Sequence, residues 1–164
     1  MTSDFHVFQA SDDADMAHAR TLFREYQEWL NVDLCFQDFE SELANLPGYY
    51  APPGGCLYIV TDKHSQALVG CVALRSEQGE RCEMKRLYVR EAWRGHGLGR
   101  YLAGLCLEEA ARLGYRHMCL DTIGSLKSAR QLYKSMGFKE IPAYYENPLN
   151  DVIYMEKDLI LTDQ

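Results

Sequence analysis

Seven residues in the middle of the chain, Arg94-Gly95-His96-Gly97-Leu98-Gly99-Arg100, constrain it most. They lie between an alternating stretch that ends at Val89 and a helical stretch that begins near Gly97. A strand–turn–helix joint leaves the first N–H groups of the helix without intrahelical partners. It also presents the positive end of the helix dipole, so anionic oxygens, phosphates above all, bind there. Glycines let backbone approach such a ligand without a Cβ in the way. Arg94 and Arg100 add charge and forked donors. The spacing excludes a Walker A loop, which needs GxxxxGK[ST]. It also fits poorly with the dinucleotide fingerprint GxGxxG, which follows the first strand of a parallel unit.

Hydrophobic period supplies the surrounding elements. Phe5–Gln9 alternates as a short strand. Ser11-Asp12-Asp13 offers an N-cap to a helix over Ala14–Leu30, and a second helix is expected over Gln37–Ala44. Pro47-Gly48 and Pro52-Pro53-Gly54-Gly55 mark a turn-rich loop around Tyr49 and Tyr50. Strands are expected at Cys56–Thr61, Ala67–Arg75 and Cys82–Val89, then a helix at Gly97–Leu113. A strand at Arg116–Asp121, a helix at Leu126–Met136, and strands at Phe138–Ile141 and Asp151–Lys157 complete the order. The sum predicts one α/β (α+β) domain over residues 1–164, with a mixed, mostly antiparallel sheet of about seven strands flanked by about four helices.

Charge is uneven. Residues 1–50 hold ten acids against Arg20 and Arg24, whereas residues 81–100 hold six bases against Glu83 and Glu91. That asymmetry predicts an anionic ligand near the middle of the chain and a cationic one near its N-terminal third. The net charge of −7 argues against a nucleic-acid partner. Apolar runs are too short to span a membrane, and the acidic start carries no apolar core of a signal peptide. Both point to the cytoplasm. The six cysteines are scattered singly, with neither a CxxC nor zinc spacing, so they read as reduced core residues and no metal is expected.

Three segments in the right order carry a resemblance. Arg94-x-x-Gly97-x-Gly99 resembles the acyl-CoA-binding motif of the GNAT superfamily of N-acetyltransferases, [Arg/Gln]-x-x-Gly-x-[Gly/Ala]. Glu83-Met84-Lys85-Arg86-Leu87-Tyr88-Val89 resembles that family's central strand. Ala129-Arg130-Gln131-Leu132-Tyr133, running to Gly137-Phe138, resembles its later helix, A-x-x-L-Y-x-x-x-G-F. The resemblance covers nearly the whole chain.

It implies a sheet that parts in a V between two neighbouring strands. Pantetheine would lie along Leu87, Tyr88 and Val89, and pyrophosphate would rest on the backbone from Arg94 through Gly95, His96, Gly97, Leu98 and Gly99 to Arg100. Tyr133 would stand beside the CoA sulfur as an acid, and Glu83 would occupy the strand position of a general base. Many relatives carry an asparagine where Leu126 stands here, so Ser125 or Ser128 would supply that polar contact. The cosubstrate implied is acetyl-CoA, without a metal. The acceptor would be a small-molecule or peptide amine, bound by the early helices and the last loop. These supply Trp29, Asp33, Tyr49, Tyr50, Tyr144, Tyr145 and Glu146, a set suited to a cationic amine through ring faces and carboxylates. Lys85 and Arg86, adjacent on a strand, should face opposite sides. The alternative is a non-catalytic acyl-CoA sensor of the same fold. Dimers are common in the family, and an exposed edge strand would support one.

Overall fold

A computed structural model describes residues 4–34 and 38–159. Gln37, expected to begin the second helix, and Cys35 lie outside those residues. Among the described residues seven strands form one sheet: β1 Phe5–Gln9, β2 Cys56–Asp62, β3 Leu68–Gln78, β4 Arg81–Val89, β5 His117–Ile123, β6 Lys139–Ile141 and β7 Val152–Asp158. Their spatial order is β1-β2-β3-β4-β5-β7-β6. All neighbouring pairs are antiparallel except β4 with β5. The helices are α1 Asp13–Leu30, α2 Phe39–Ala44, α3 Leu98–Arg112 and α4 Lys127–Ser135. The expected mixed sheet with four helices is thus present, with boundaries shifted by a residue or two at most termini.

Local chemistry explains the helix ends. Asp12 caps α1, its carboxylate accepting from the Asp15 amide at 2.8 Å while Asp15 reaches back to the Asp12 amide. This is a capping box. Asn31 closes the helix in a left-handed conformation (φ 57°), which Asn tolerates better than most residues. Between the ends, Met16, Ala19, Leu22 and Phe23 form the buried stripe. Fully burying Leu22 or Phe23 contributes about 1.5–3 kcal/mol each.

Strand alternation sorts side chains onto two faces. Leu57, Ile59, Cys71, Ala73 and Tyr88 pack under α1 and α2. Cys56, Val60, Val72, Leu74, Cys82 and Met84 pack under α3 and α4. Five described cysteines are buried and unpaired, as expected of core thiols. No helix among the described residues is long and apolar enough to cross a membrane.

Two irregularities position everything that follows. The parallel pairing of β4 with β5 spans only Arg81–Glu83 against His117–Cys119, although both strands continue beyond it. The sheet therefore opens into a V on the C-terminal side of Glu83. Next to that opening β4 carries a bulge: Cys71 pairs with Tyr88 but Ala73 pairs with Lys85, leaving one extra residue on β4. Arg86 occupies it with φ 62°, in the left-handed region. A bulge resets which face each residue meets. Lys85 and Arg86 consequently point to the same side, toward α2 and its neighbouring turn, contrary to the alternation expected of an unbroken strand. Leu87 and Val89 then face the α3 side and Tyr88 the α1 side.

Candidate active site

Two large cavities border β4 on either side of its bulge, and a small one of about 40 Å³, lined by Arg86 and by Asp121, Thr122 and Ile123, lies between β4 and β5 in the V itself. The first, of about 740 Å³, runs along Leu87, Tyr88 and Val89, past the glycine loop, to Ser125, Ser128, Ala129 and Leu132 at the start of α4. Arg94, Gly95, Gly97, Leu98, Gly99 and Arg100 form its wall. Gly97 is the N-cap of α3 and has φ 79°, while Gly95 has φ 90°. Both angles fall where a side chain is disfavoured, which is the physical reason for glycine here. The first-turn N–H groups of α3 therefore open onto a groove flanked by two arginines. An elongated ligand carrying a pyrophosphate fits this donor set.

Every cofactor-binding residue expected from sequence lines this groove except His96. That side chain is exposed and turns toward the Phe5 ring, 6.1 Å between centroids. Arg94 donates its Nε to the Val89 carbonyl at 2.7 Å and lies 4.7 Å over the Trp29 ring. Trp29 thus lines this groove and not the cavity that holds Tyr49, Tyr50, Tyr144 and Tyr145, the residues with which it was grouped from sequence. Arg100 is tied to the Ser135 hydroxyl at 2.6 Å. Tyr133 is buried in the α3–α4 core, 5.8 Å from the Phe138 ring, and does not line the groove. Burial pushes its hydroxyl well above the usual tyrosine range, so it remains protonated near neutrality.

The second cavity, of about 630 Å³, lies under α2 and the turn that follows it. Tyr49, Tyr50, Tyr144 and Tyr145 line it, as do Arg75, Glu83 and Lys85. Exposed Glu146 lines neither cavity. Glu83 is 1% exposed. It accepts from Arg75 Nε at 2.8 Å and from the Tyr144 hydroxyl at 2.7 Å. Burial alone would raise its pKa, but Lys85, Tyr144 and Arg75 together hold it below its ordinary 4.5. Burial first and Arg86 second push the Lys85 ammonium below the usual lysine range.

Behind this pocket Arg86 forms a two-point pair with Glu42 of α2, at 3.0 and 2.8 Å, and is only 4% exposed. Beside it Tyr145 donates to Asp121, and Asn147 Nδ2 donates to Tyr145 at 2.9 Å. Arg75 and Asp121 carry no expected role in the sequence, and Glu42 enters it only as one of the N-terminal acids. Arg75 and Glu83 are direct cross-strand partners, a signal visible only once register is known. The N-terminal acids expected to attract a cationic ligand are in part spent on bases: Glu42 on Arg86, Glu25 on Arg90 and Glu40 on Arg24.

A mixed sheet that parts beside a glycine-lined helix N-terminus defines the acyl-CoA N-acyltransferase fold. Residues 17–138 match the Acetyltransferase (GNAT) family, and the chain belongs to it. It is 42% identical over 146 residues to an N-acetyltransferase of Schizosaccharomyces pombe named as uncharacterized, covering 88% of this chain and 89% of that one. It is 33% identical over 129 residues to human N-acetylaspartate synthetase, covering 77% of this chain and 39% of that one. Among solved structures, a GNAT-family acetyltransferase from Staphylococcus aureus shares the fold with a TM-score of 0.79, at 19% identity, over 95% of this chain and 99% of that one.

Proposed function

We propose that the chain moves an acetyl group from acetyl-CoA to a primary amine by direct transfer in a ternary complex. The observation that carries this reading is the pair of large cavities that border β4 where it parts from β5. One is shaped for a long anionic cosubstrate, and the other is a polar, tyrosine-walled pocket reaching Glu83. Pyrophosphate would rest on the α3 N-terminus and pantetheine along Leu87–Val89, with the thioester pointing into the V. The acceptor would enter between Tyr49, Tyr50 and Tyr145, with Glu146 outside the cavity wall. No cysteine among the described residues lines either cavity, which favours direct transfer over an acyl-enzyme.

The chemistry requires a neutral amine. Its nitrogen attacks the thioester carbonyl, the C–N bond forms, the C–S bond breaks, and the amine's proton leaves while CoA thiolate gains one. Glu83, ionised at neutral pH, would accept the amine's proton directly or through water. Tyr133 is the residue that the family resemblance offers as proton donor to the thiolate; its hydroxyl would have to turn from the α3–α4 core into the groove beside Leu132 to reach the sulfur. The human relative's name makes its acceptor an amino acid, so amino acids belong in any test panel.

Calorimetric titration with acetyl-CoA, with ATP and NADH as controls, tests the cosubstrate. Release of free thiol in the presence of an amine panel tests transfer. Selective binding with turnover supports the reading. Selective binding without turnover for any amine would instead establish a non-catalytic acyl-CoA sensor.

A further inference from the structure

Four arginines on the α1–α2 side of β3 and β4 carry guanidinium groups with several donors each, and they spend them differently. Arg81 engages Glu77 through Nε and Nη2 and Glu156 through Nη1. Arg86 engages Glu42 through Nε and Nη2. Arg90 engages Glu25 through Nε and Nη2 and the Leu68 carbonyl through Nη1. Arg75 alone makes a single side-chain hydrogen bond among the described residues, Nε to Glu83 at 2.8 Å. Both of its terminal nitrogens remain uncommitted. Its guanidinium stands 5.7 Å from the centre of the Tyr49 ring and lines the acceptor pocket, with 31% of the side chain exposed.

The fork is therefore braced on two sides, by a buried carboxylate and by an aromatic ring, and open on a third. A planar, pre-braced fork suits a carboxylate, which it grips with two parallel N–H···O bonds. Lys85, on the same wall two residues from Glu83, adds a second positive centre. Of the lining acids, Glu42 and Glu77 are held by Arg86 and Arg81, Asp38 is exposed, and Glu83 offsets one positive charge but engages Arg75 only through Nε, leaving the terminal nitrogens facing the pocket.

Resting on the acyl-transfer reading above, we propose that Arg75 is the carboxylate-recognition residue of the acceptor pocket. The acceptor is a free amino acid, its carboxylate on Arg75 and its amine turned toward the V. A decarboxylated amine and the side chain of a protein lysine both lack the group that Arg75 is built to hold.

The wild-type protein tests this without any variant. Thiol release from acetyl-CoA is measured with phenylalanine, leucine and aspartate, each beside its α-carboxamide and, for phenylalanine, 2-phenylethylamine. The acid should exceed its carboxamide by about 10- to 100-fold in kcat/KM, the range of hydrogen bonds to charged groups. In Arg75→Gln that ratio should collapse toward unity, and Arg75→Lys should restore part of it. Carboxamides or 2-phenylethylamine accepting acetyl as fast as the acids would overturn the proposal alone. An Arg75→Gln protein that keeps the wild-type ratio would do the same. Acetyl-CoA binding with no transfer to any amine would overturn the transfer reading and this proposal with it.

Discussion

The groove at the α3 N-terminus and the tyrosine-walled pocket both border β4, yet they are built from different materials. The groove is built chiefly from one stretch of chain, Leu87–Val89 and Trp93–Arg100 without His96, joined by Trp29 and the start of α4, with glycines at its helix N-terminus. The pocket is mostly side chain, gathered from α2, the 48–50 turn, β3, β4 and the 144–145 loop, and braced by ion pairs. A backbone site depends on where Cβ atoms are absent. A side-chain site depends on buried charges staying paired. The two should fail in different ways when disturbed.

The sharpest break should come from Glu42→Ala. It leaves Arg86 buried without a carboxylate and costs about 3–5 kcal/mol of folding stability, measured by urea unfolding. A loss below about 1 kcal/mol would mean that water reaches Arg86 and that the ion pair does not brace the pocket. Next is Gly97→Val. A β-branched residue at φ 79° is strained, and its side chain intrudes on the α3 N-terminus. Acetyl-CoA affinity should fall by about 100-fold or more, roughly 2.7 kcal/mol, read by calorimetry. Wild-type affinity would place the cosubstrate elsewhere. Tyr133→Phe should leave acetyl-CoA binding intact and lower kcat by about 100-fold, the low end for general acid–base groups. An unchanged kcat would make Tyr133 a core aromatic and nothing more.

The smallest expected effect is acid sensitivity. Glu83 is buried with a folded-state pKa held below 4.5, so the stability it contributes is fully present above about pH 4.5. It is lost as pH falls through the lower folded value. Glu25, lowered chiefly by its hydrogen bond from Arg90, adds to the same slope from a more exposed position. Urea midpoints measured from pH 7 down to pH 3 should decline, and Glu83→Gln should flatten the decline. An identical slope in that variant would assign acid loss to other carboxylates.

How much of each site could be read in advance follows from the same contrast. The groove was legible because its determinants are contiguous: glycines that must adopt positive φ, arginines beside them, and a helix that begins there. Ser125 and Ser128, named because Leu126 stands where many relatives carry asparagine, both line the groove. Trp29 was grouped with the residues of the other cavity because its helix, read alone, does not say which end of the sheet its last turn reaches. Lys85 and Arg86 were assigned to opposite faces because period-two reasoning assumes an unbroken strand. Nothing in EMKRLYV marks Arg86 as the residue that bulges.

Local patterns by themselves settled the element order, an N-cap within Ser11-Asp12-Asp13 and a helix start at the glycine loop, because each depends on neighbours within a few residues. Tertiary structure alone decided the register that sets Arg75 opposite Glu83. It also decided the end of β4–β5 pairing after Glu83, and the meeting of Glu42 with Arg86 across 44 positions of chain. Those outcomes depend on how twisted strands and buried charges accommodate one another at a distance, and that energy belongs to the assembled sheet rather than to any segment of it.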